Sequence, residues 1–370
     1  MRFVIFTHSL VSDWNHGNAH FLRGIAAELL HRGHQLSILE PQDGWSRQNL
    51  LREQGHRAVD EFERVFPQLR SALYDESTLD LDRALGKADV VLVHEWNSPR
   101  LIERIGRHRA RHDYTLLFHD THHRSLTERD SIASCDLSRF DGVLAYGNVI
   151  RDLYLENGWA QRAWTWHEAA DTRIFRHLHC EAKRGDLVWI GNWGDNERAD
   201  SLREFLIHPV KALGLHACVY GVRYPPEALR ELAAAGIKYG GWLPNYKVPE
   251  VFAQYRATVH VPRRPYVEAL PGIPTIRPFE AMACGIPLIS APWIDSEHLF
   301  TPGEDFVVAE NKEQMKSYLR RLLSDPELSN RLHHHGLKTI RSRHTCAHRV
   351  DELFSFLAAV QPVYVSEGKA

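Results

Sequence analysis

The sequence predicts an α/β protein built as two parallel-sheet domains that face a central cleft. Short apolar runs alternate with stretches of helical spacing along almost the whole chain, as they do when helices wrap a parallel sheet. The alternation runs through two halves of similar size, and neither contains a shorter repeat of the solenoid kind. A length of 370 residues exceeds one ordinary core and suits two.

The elements follow in order. Phe3 to Thr7 is a short apolar run and reads as the first buried strand. Phe21 to Arg32 has helical spacing, with Leu22, Ile25, Ala26, Leu29 and Leu30 on one face, and Gly33 closes it as a C-terminal glycine does. Strands are expected at Gln35–Leu39, Ala88–His94, Tyr114–Phe118 and Gly142–Ala145. The second half repeats the pattern. Strands at Leu187–Ile190, His216–Tyr220, Tyr239–Trp242, Thr258–Val261 and Pro287–Ser290 alternate with helices at Ser201–Leu213, Ala228–Ala235, Val248–Tyr255 and Ile276–Cys284. From Lys312 the chain reads as mostly helical. A polar stretch with Arg173, Arg176, Lys183 and Arg184 joins the halves, so the expected domains are 1–172 and 173–370, the second with a helical tail. Ligands of open α/β sheets bind at the carboxyl ends of the strands, and two such sheets face to face make a cleft there.

Composition narrows the function. A hydrophobic share of 44% and a charged share of 25% are those of a globular protein. A net charge of −2 offers no overall attraction to nucleic acid or to an anionic membrane. No apolar run approaches the ~20 residues that span a bilayer. Met1-Arg2 leads straight into Phe3-Val4-Ile5-Phe6, too short for a signal-peptide core. The five cysteines are scattered and form no Cys-x-x-Cys pair, which fits a reducing, cytoplasmic setting.

The segment from Arg277 to Ser290, Arg-Pro-Phe-Glu-Ala-Met-Ala-Cys-Gly-Ile-Pro-Leu-Ile-Ser, reads as a loop, a two-turn helix, a glycine stop and a buried strand. Pro278 suits the first turn, so the helix begins at a strand-end loop, where free N–H groups and the dipole favour an anion. Glu280 in that turn is a carboxylate able to accept from a vicinal diol such as a ribose; its alternative is to offset the dipole or pair with Arg277.

This stretch resembles the Glu-Ala-Met-Ala-x-Gly-x-Pro block of group 1, family 4-like retaining glycosyltransferases of the GT-B fold, including their CgeB-like branch. The resemblance implies two Rossmann-like domains, a nucleotide-sugar donor, and Glu280 on the donor ribose. It extends weakly over most of the chain. The family commonly carries a second glutamate eight positions earlier; Gly272 stands there, in Leu270-Pro271-Gly272-Ile273-Pro274. The loop with Gly272 and Ile273 then presents backbone N–H groups to sugar or diphosphate.

Four further segments follow from the same comparison. His16-Gly17-Asn18-Ala19-His20 resembles the first glycine-bearing loop, with Gly17 allowing close backbone approach and Asn18 capping the helix. Leu117-Phe118-His119-Asp120-Thr121-His122-His123-Arg124 follows a strand; the resemblance places His119, or next His122, against the transferred sugar, with Asp120 orienting a ring. Its histidines match no metal spacing. Ile190-Gly191-Asn192-Trp193-Gly194 to Arg198 has Asn192 where the family has arginine and Arg198 near the next cation. Arg263 and Arg277 join Arg198 as candidates for the diphosphate, which a guanidinium fork suits. Gly241-Trp242-Leu243-Pro244 resembles the loop that meets the base, and Trp242 is equally suited to core packing.

The implied reaction is transfer from a nucleotide sugar to an acceptor that is a glycan, a small molecule or a protein. Retention of configuration, no metal and no bound cofactor are expected. His119, Asp120 and Arg198 are the expected catalytic group. Alternatives are a GT-B phosphorylase or epimerase, or a non-catalytic sugar-nucleotide-binding protein. Trp96 and its neighbours His94 and Glu95 end a strand on the acceptor side. Glu168 and Asp171 lie at the domain crossing. Asp80-Leu81-Asp82 sits in helical context and is set aside as a metal motif. The His333-His334-His335 run reads as a solvated helix face.

Overall fold

The computed structural model describes residues 1–194 and 197–360. Asp195 and Asn196 of the second glycine-bearing loop, and the last ten positions of the expected 173–370 domain, lie outside the described residues.

Seven strands form the first sheet: β1 Arg2–Phe6, β2 Gln35–Pro41, β3 Ser71–Tyr74, β4 Val90–His94, β5 Thr115–Asp120, β6 Gly142–Ala145 and β7 Ala163–Thr165. Their order is β3-β2-β1-β4-β5-β6-β7, every pair parallel. Six form the second: β8 Gly185–Ile190, β9 Ala217–Tyr220, β10 Lys238–Tyr239, β11 Tyr255–His260, β12 Leu288–Ser290 and β13 Val307–Val308, in the order β10-β9-β8-β11-β12-β13, also all parallel. Each sheet reverses direction once, between β1 and β4 and between β8 and β11. Those are the switch points where loops diverge and leave a crevice.

Local rules explain the elements. The helix Ala19–His31 ends at Gly33 (φ 81°), whose N–H reaches Leu30 O at 3.0 Å while His34 N reaches Leu29 O at 3.1 Å. That is the paired closure a left-handed glycine permits. Gly285 (φ 68°) closes Ile276–Cys284 in the same way, with Ile286 N on Ala281 O. The expected helix 201–213 is interrupted: α-helical turns at Ala199–Leu202 and His208–Leu213 flank a π-helical turn at Arg203–Ile207. Pro209 lacks the N–H for an ordinary i to i−4 bond, and the widened turn absorbs that loss. Asp80 caps Leu81–Leu85 by accepting Arg83 N at 3.0 Å.

Apolar cores lie on both faces of each sheet. One core of the first domain gathers Phe3, Ile25, Leu29 and Trp166 together with Cys346, Val350, Leu353 and Leu357. The last four belong to the helix Cys346–Val360, which therefore packs on the first domain although it follows the helices Lys312–Ser324 and Pro326–Arg343 of the second. The helical tail is thus shared between the domains. Where the chain returns, it pairs with the earlier crossing: Ala170 N donates to His344 O and Cys346 N to Ala170 O, both at 3.0 Å. Arg349, almost fully buried, donates to His167 O (2.9 Å), and Trp166 Nε1 donates to Arg349 O (2.8 Å).

Gly24 marks the closest approach of the returning helix. A Cβ there would lie 2.4 Å from Cys346 Sγ and 2.9 Å from Asp171 Cβ. Gly24→Val is expected to cost about 1–3 kcal/mol from overpacking, read as a lowered midpoint in urea denaturation, while Gly106→Ala, with no atom closer than 3.5 Å to its Cβ, leaves the midpoint unchanged or raises it.

Candidate active site

Between the two switch points lies a cleft of about 510 Å³. Its first-domain wall comes from the loop after β1, with His8, Asp13, His16, Gly17 and Asn18, and from Trp96, Thr121 and His122 after β4 and β5. The second-domain wall comes from Gly191, Asn192 and Arg198 after β8, from His260, Val261 and Arg263 at the end of β11, and from Trp242, Leu243 and Thr275–Arg277.

Among the described residues, the guanidinium groups of the lining, Arg198, Arg223, Arg263 and Arg277, are all on the second wall. Arg198 holds Asn192 O and Oδ1 through one terminal nitrogen (3.3 Å each) and lies over the Trp189 ring at 5.7 Å. Its Nε is enclosed without a partner, and among the described residues no carboxylate pairs with it. Enclosure, with Arg263 adding, lowers its pKa to about 9. Arg263 pairs with Glu197 at 3.1 Å and reaches Asn192 Oδ1 at 3.3 Å. Asn192 also donates to Asn15 Oδ1 of the opposite domain. Next to this group the helix Ile276–Cys284 starts without a side-chain cap, and Thr275 before it has φ 59°. A β-branched residue with positive φ stores about 1–3 kcal/mol of backbone strain. The strain sits where free helix N–H groups open onto the cleft.

Glu280 is one layer below. It is fully buried and absent from the lining. Oε1 accepts from His20 Nδ1 (2.8 Å) and Asn245 Nδ2 (2.7 Å), and Oε2 pairs with Arg277. His20 Nε2 accepts from Asp171 N (2.8 Å), so the ring proton is on Nδ1 and points at Glu280. Burial raises the carboxyl's pKa, but Arg277, His20 and Asn245 outweigh it, and the net shift is downward. Glu280 thus reaches the cleft through Asn245 and Arg277, both in the lining, and it ties the first domain to the second.

The other expected residues divide similarly. Gly17, Asn18, Asn192, Trp242, Leu243, Arg198, Arg263 and Arg277 line the cleft. Asn18 does not cap its helix; its Nδ2 donates to Glu168 Oε1 at 3.0 Å. Trp242 divides itself between packing near Trp14 and Val222 and facing the cleft, with Nε1 on Asp13 Oδ1 at 3.2 Å. Gly272 and Ile273 lie outside the cleft lining. Gly272 has φ 87°, and a Cβ there would meet Glu297 at 2.6 Å, so no side chain fits. Ile273 packs against Gly147 in the first domain's core. His119 and Asp120 are buried behind the wall. His119 packs edge-on to Trp166 and His94, and burial lowers its pKa to about 3. Asp120 orients no ring: it accepts His122 N (3.1 Å) and Tyr154 OH (2.8 Å), and burial raises it to about 6. His122 is the histidine of that segment that reaches the cleft.

Sequence reasoning passed over His260, Asn245 and Thr275. His260 ends β11 at the switch point; its Nε2 is buried without a partner, and burial, with Arg198 and Arg277 adding, lowers it to about 3. The one signal for it was its position at a strand end. The described residues hold one group with metal-ligand atoms close together, Asp82, His108 and His112. It lies outside the cleft lining. The two rings stack parallel at 3.9 Å, so their lone pairs do not converge on a common point. His333 is not simply solvated: its Nδ1 meets Gly285 O at 2.7 Å.

Residues 198–355 match the family model described as "Glycosyl transferase-like". Comparison with curated proteins gives no match. Among solved structures, the chain is similar to sucrose-phosphate synthase from Thermosynechococcus elongatus (TM-score 0.67, 13% identity, 98% of this chain and 100% of that one). It is similar to Anabaena HepE in complex with UDP and glucose (TM-score 0.66, 13% identity, 97% and 100%). It is also similar to a glycosyltransferase from Rickettsia africae (TM-score 0.67, 10% identity, 97% and 98%). At these identities the likeness is one of fold, and the fold is GT-B.

The buried neutral histidines set the pH response. His119, His260 and His344 are lowered to about 3 and His8 to about 4, each chiefly by burial. Their contribution is complete above the unfolded value of 6.5 and is lost as pH falls through the interval below it. Asp120 and Glu168, raised to about 6 and about 7 by burial, act in the opposite sense but are fewer. The urea midpoint is expected to fall between pH 6.5 and 4.5. In His119→Phe the fall is shallower, by up to about 1.4 kcal/mol per pH unit for the one proton removed.

Proposed function

We propose that this GT-B protein is a glycosyltransferase that takes its sugar from a nucleoside diphosphate held against the second-domain wall, and passes it to an acceptor hydroxyl entering along the first-domain wall. The observation that carries the reading is Arg198, an enclosed guanidinium with an unpartnered Nε and no carboxylate among the described residues. A guanidinium that faces a cleft with its Nε enclosed, one terminal nitrogen on Asn192 and no carboxylate to neutralise it suits an anion. Arg263, Arg277 and the uncapped helix start at Thr275–Ile276 open onto the same space, which suits two linked phosphates.

Breaking the bond between the sugar and the diphosphate leaves negative charge on the departing oxygen. Cations and helix N–H groups already in place stabilise that charge most when it is greatest. In the proposed retaining course, the bond from the anomeric carbon to the diphosphate oxygen breaks and a bond to the acceptor oxygen forms on the same face. The acceptor's proton passes to the departing phosphate oxygen. The arginine group supplies the countercharge, so we propose that no divalent ion is required. His122 and Trp96 then wall the sugar and acceptor, and Trp242 with Leu243 meets the base. Glu280 holds Arg277 and Asn245 in their places under the nucleotide.

Thermal shift against UDP, GDP, ADP and TDP should single out one base. Arg198→Met should weaken that diphosphate ten- to a hundredfold, corresponding to about 1.5–3 kcal/mol for a charge-assisted hydrogen bond; unchanged affinity in calorimetry would remove the basis of the assignment. Glu280→Gln should weaken the same ligand by about tenfold through Arg277 and Asn245. Activity lost with a chelator and regained with a divalent ion would overturn the metal-free course.

A further inference from the structure

The cleft is unequally charged. Arg198, Arg263 and Arg277 face it from one side, while two acids reach it among the described residues, Asp13 and Glu168. Asp13 is fully engaged: it accepts from Arg23 (2.9 Å), Trp242 Nε1 (3.2 Å) and Asn245 N (2.9 Å). Glu168 is not. It is 5% exposed, and its single hydrogen bond among the described residues is the one from Asn18 Nδ2 to Oε1. Oε2 is left to the cleft. The mount is stiff, because Glu168 lies on the first domain crossing, between His167, whose carbonyl Arg349 holds, and Ala170, whose backbone pairs with the return crossing.

We propose that Glu168 contacts the sugar of the donor: with Oε1 held by Asn18, Oε2 accepts hydrogen bonds from that sugar's hydroxyls and thereby selects which nucleoside-diphosphate sugar the cleft takes. The proposal rests on the reading of the cleft as a donor site. In such a donor the charge is on the diphosphate, which the arginines take, and the sugar is a neutral ring of hydroxyl donors. A carboxylate accepts hydrogen bonds and gives none, so it suits those hydroxyls. The location fits as well. Asn18 holds Glu168 from the first domain, while Arg277 and Glu280 act on it electrostatically from the helix of the second, and Tyr266 feels its charge from the short helix Arg264–Glu268. The carboxyl lines the same cleft as Ile276 and Arg277 of the phosphate-facing helix and Trp96 and His122 of the other wall, and the transferred ring lies among them. Burial first, with Glu280 adding and Asn18 and Arg277 opposing, puts its pKa at about 7. The accepting form then gains population as pH rises through neutrality, and the sugar-dependent part of donor affinity rises with it.

Calorimetry on the full chain with UDP and with UDP-glucose, or with the diphosphate and sugar of whichever base the thermal screen selects, tests this. Glu168→Gln should bind the free diphosphate within twofold of wild type and the sugar nucleotide at least tenfold more weakly, with Glu168→Ala weaker still. The rise in sugar-nucleotide affinity between pH 6 and 8 should vanish in both. A Glu168→Gln variant that keeps the wild-type ratio of the two affinities overturns the proposal and leaves the donor-site reading standing. A variant that loses both ligands equally also overturns it, because the residue would then shape the whole cleft. Wild-type protein that binds neither ligand sinks the donor-site reading and this proposal with it.

Discussion

The buried contact between His20 and Glu280 is the constraint on which the arrangement of the molecule depends. A carboxylate with no exposure has to be fully bonded or it costs several kcal/mol. Here the bonds come from three places: a helix of the first domain, the Asn245 segment and the neighbouring Arg277. The ring of His20 is itself held by the backbone of the domain crossing at Asp171. One side chain thus ties together both walls of the cleft and the crossing between them. Asn15 with Asn192, and Asn245 N with Asp13, repeat the tie nearer the surface.

Charge is distributed across the cleft to match. The histidines of the first wall stay neutral because burial opposes their protonation, His8 at about 4 and His16 and His122 well below their ordinary value. The second wall concentrates guanidinium groups around Asn192. A ligand that is anionic at one end and neutral at the other meets a different solvent at each end, which orients it before any chemistry begins.

Much of the fold was legible in the sequence. The strands of strong apolar character, from Phe3 and Val90 to Leu187 and Pro287, stand where the alternation predicts, and Gly33 and Gly285 end their helices. The strands that escaped notice are β3, β7 and β13. Leu73 of β3 is exposed and β7 and β13 are two or three residues long, so neither pattern nor length announces them. At the site, the family resemblance together with residue type and loop position pointed to Arg198, Arg263 and Trp242, and all three line the cleft. Depth was not legible. Nothing in the spacing tells that Glu280 and His119 lie under the surface while Asn245 and His122 form it, because that is decided by which side chain of a buried segment another domain covers. Nor does sequence show that Glu297 fills the room beside Gly272, a contact between distant segments of the chain.

The pairing of the two domain crossings has a mechanical consequence. The chain passes between the domains once near Ala170 and again near Thr345, and two backbone hydrogen bonds join the strands at that line, with Arg349 clamped across them. A body attached at one paired line can swing about it but cannot slide along it without breaking those bonds. Displacements then grow in proportion to distance from the line, as for a page about its spine. A swing about it would therefore load most the ties nearest the rim, Asn15 with Asn192 and Asn245 N with Asp13, and least those at the floor.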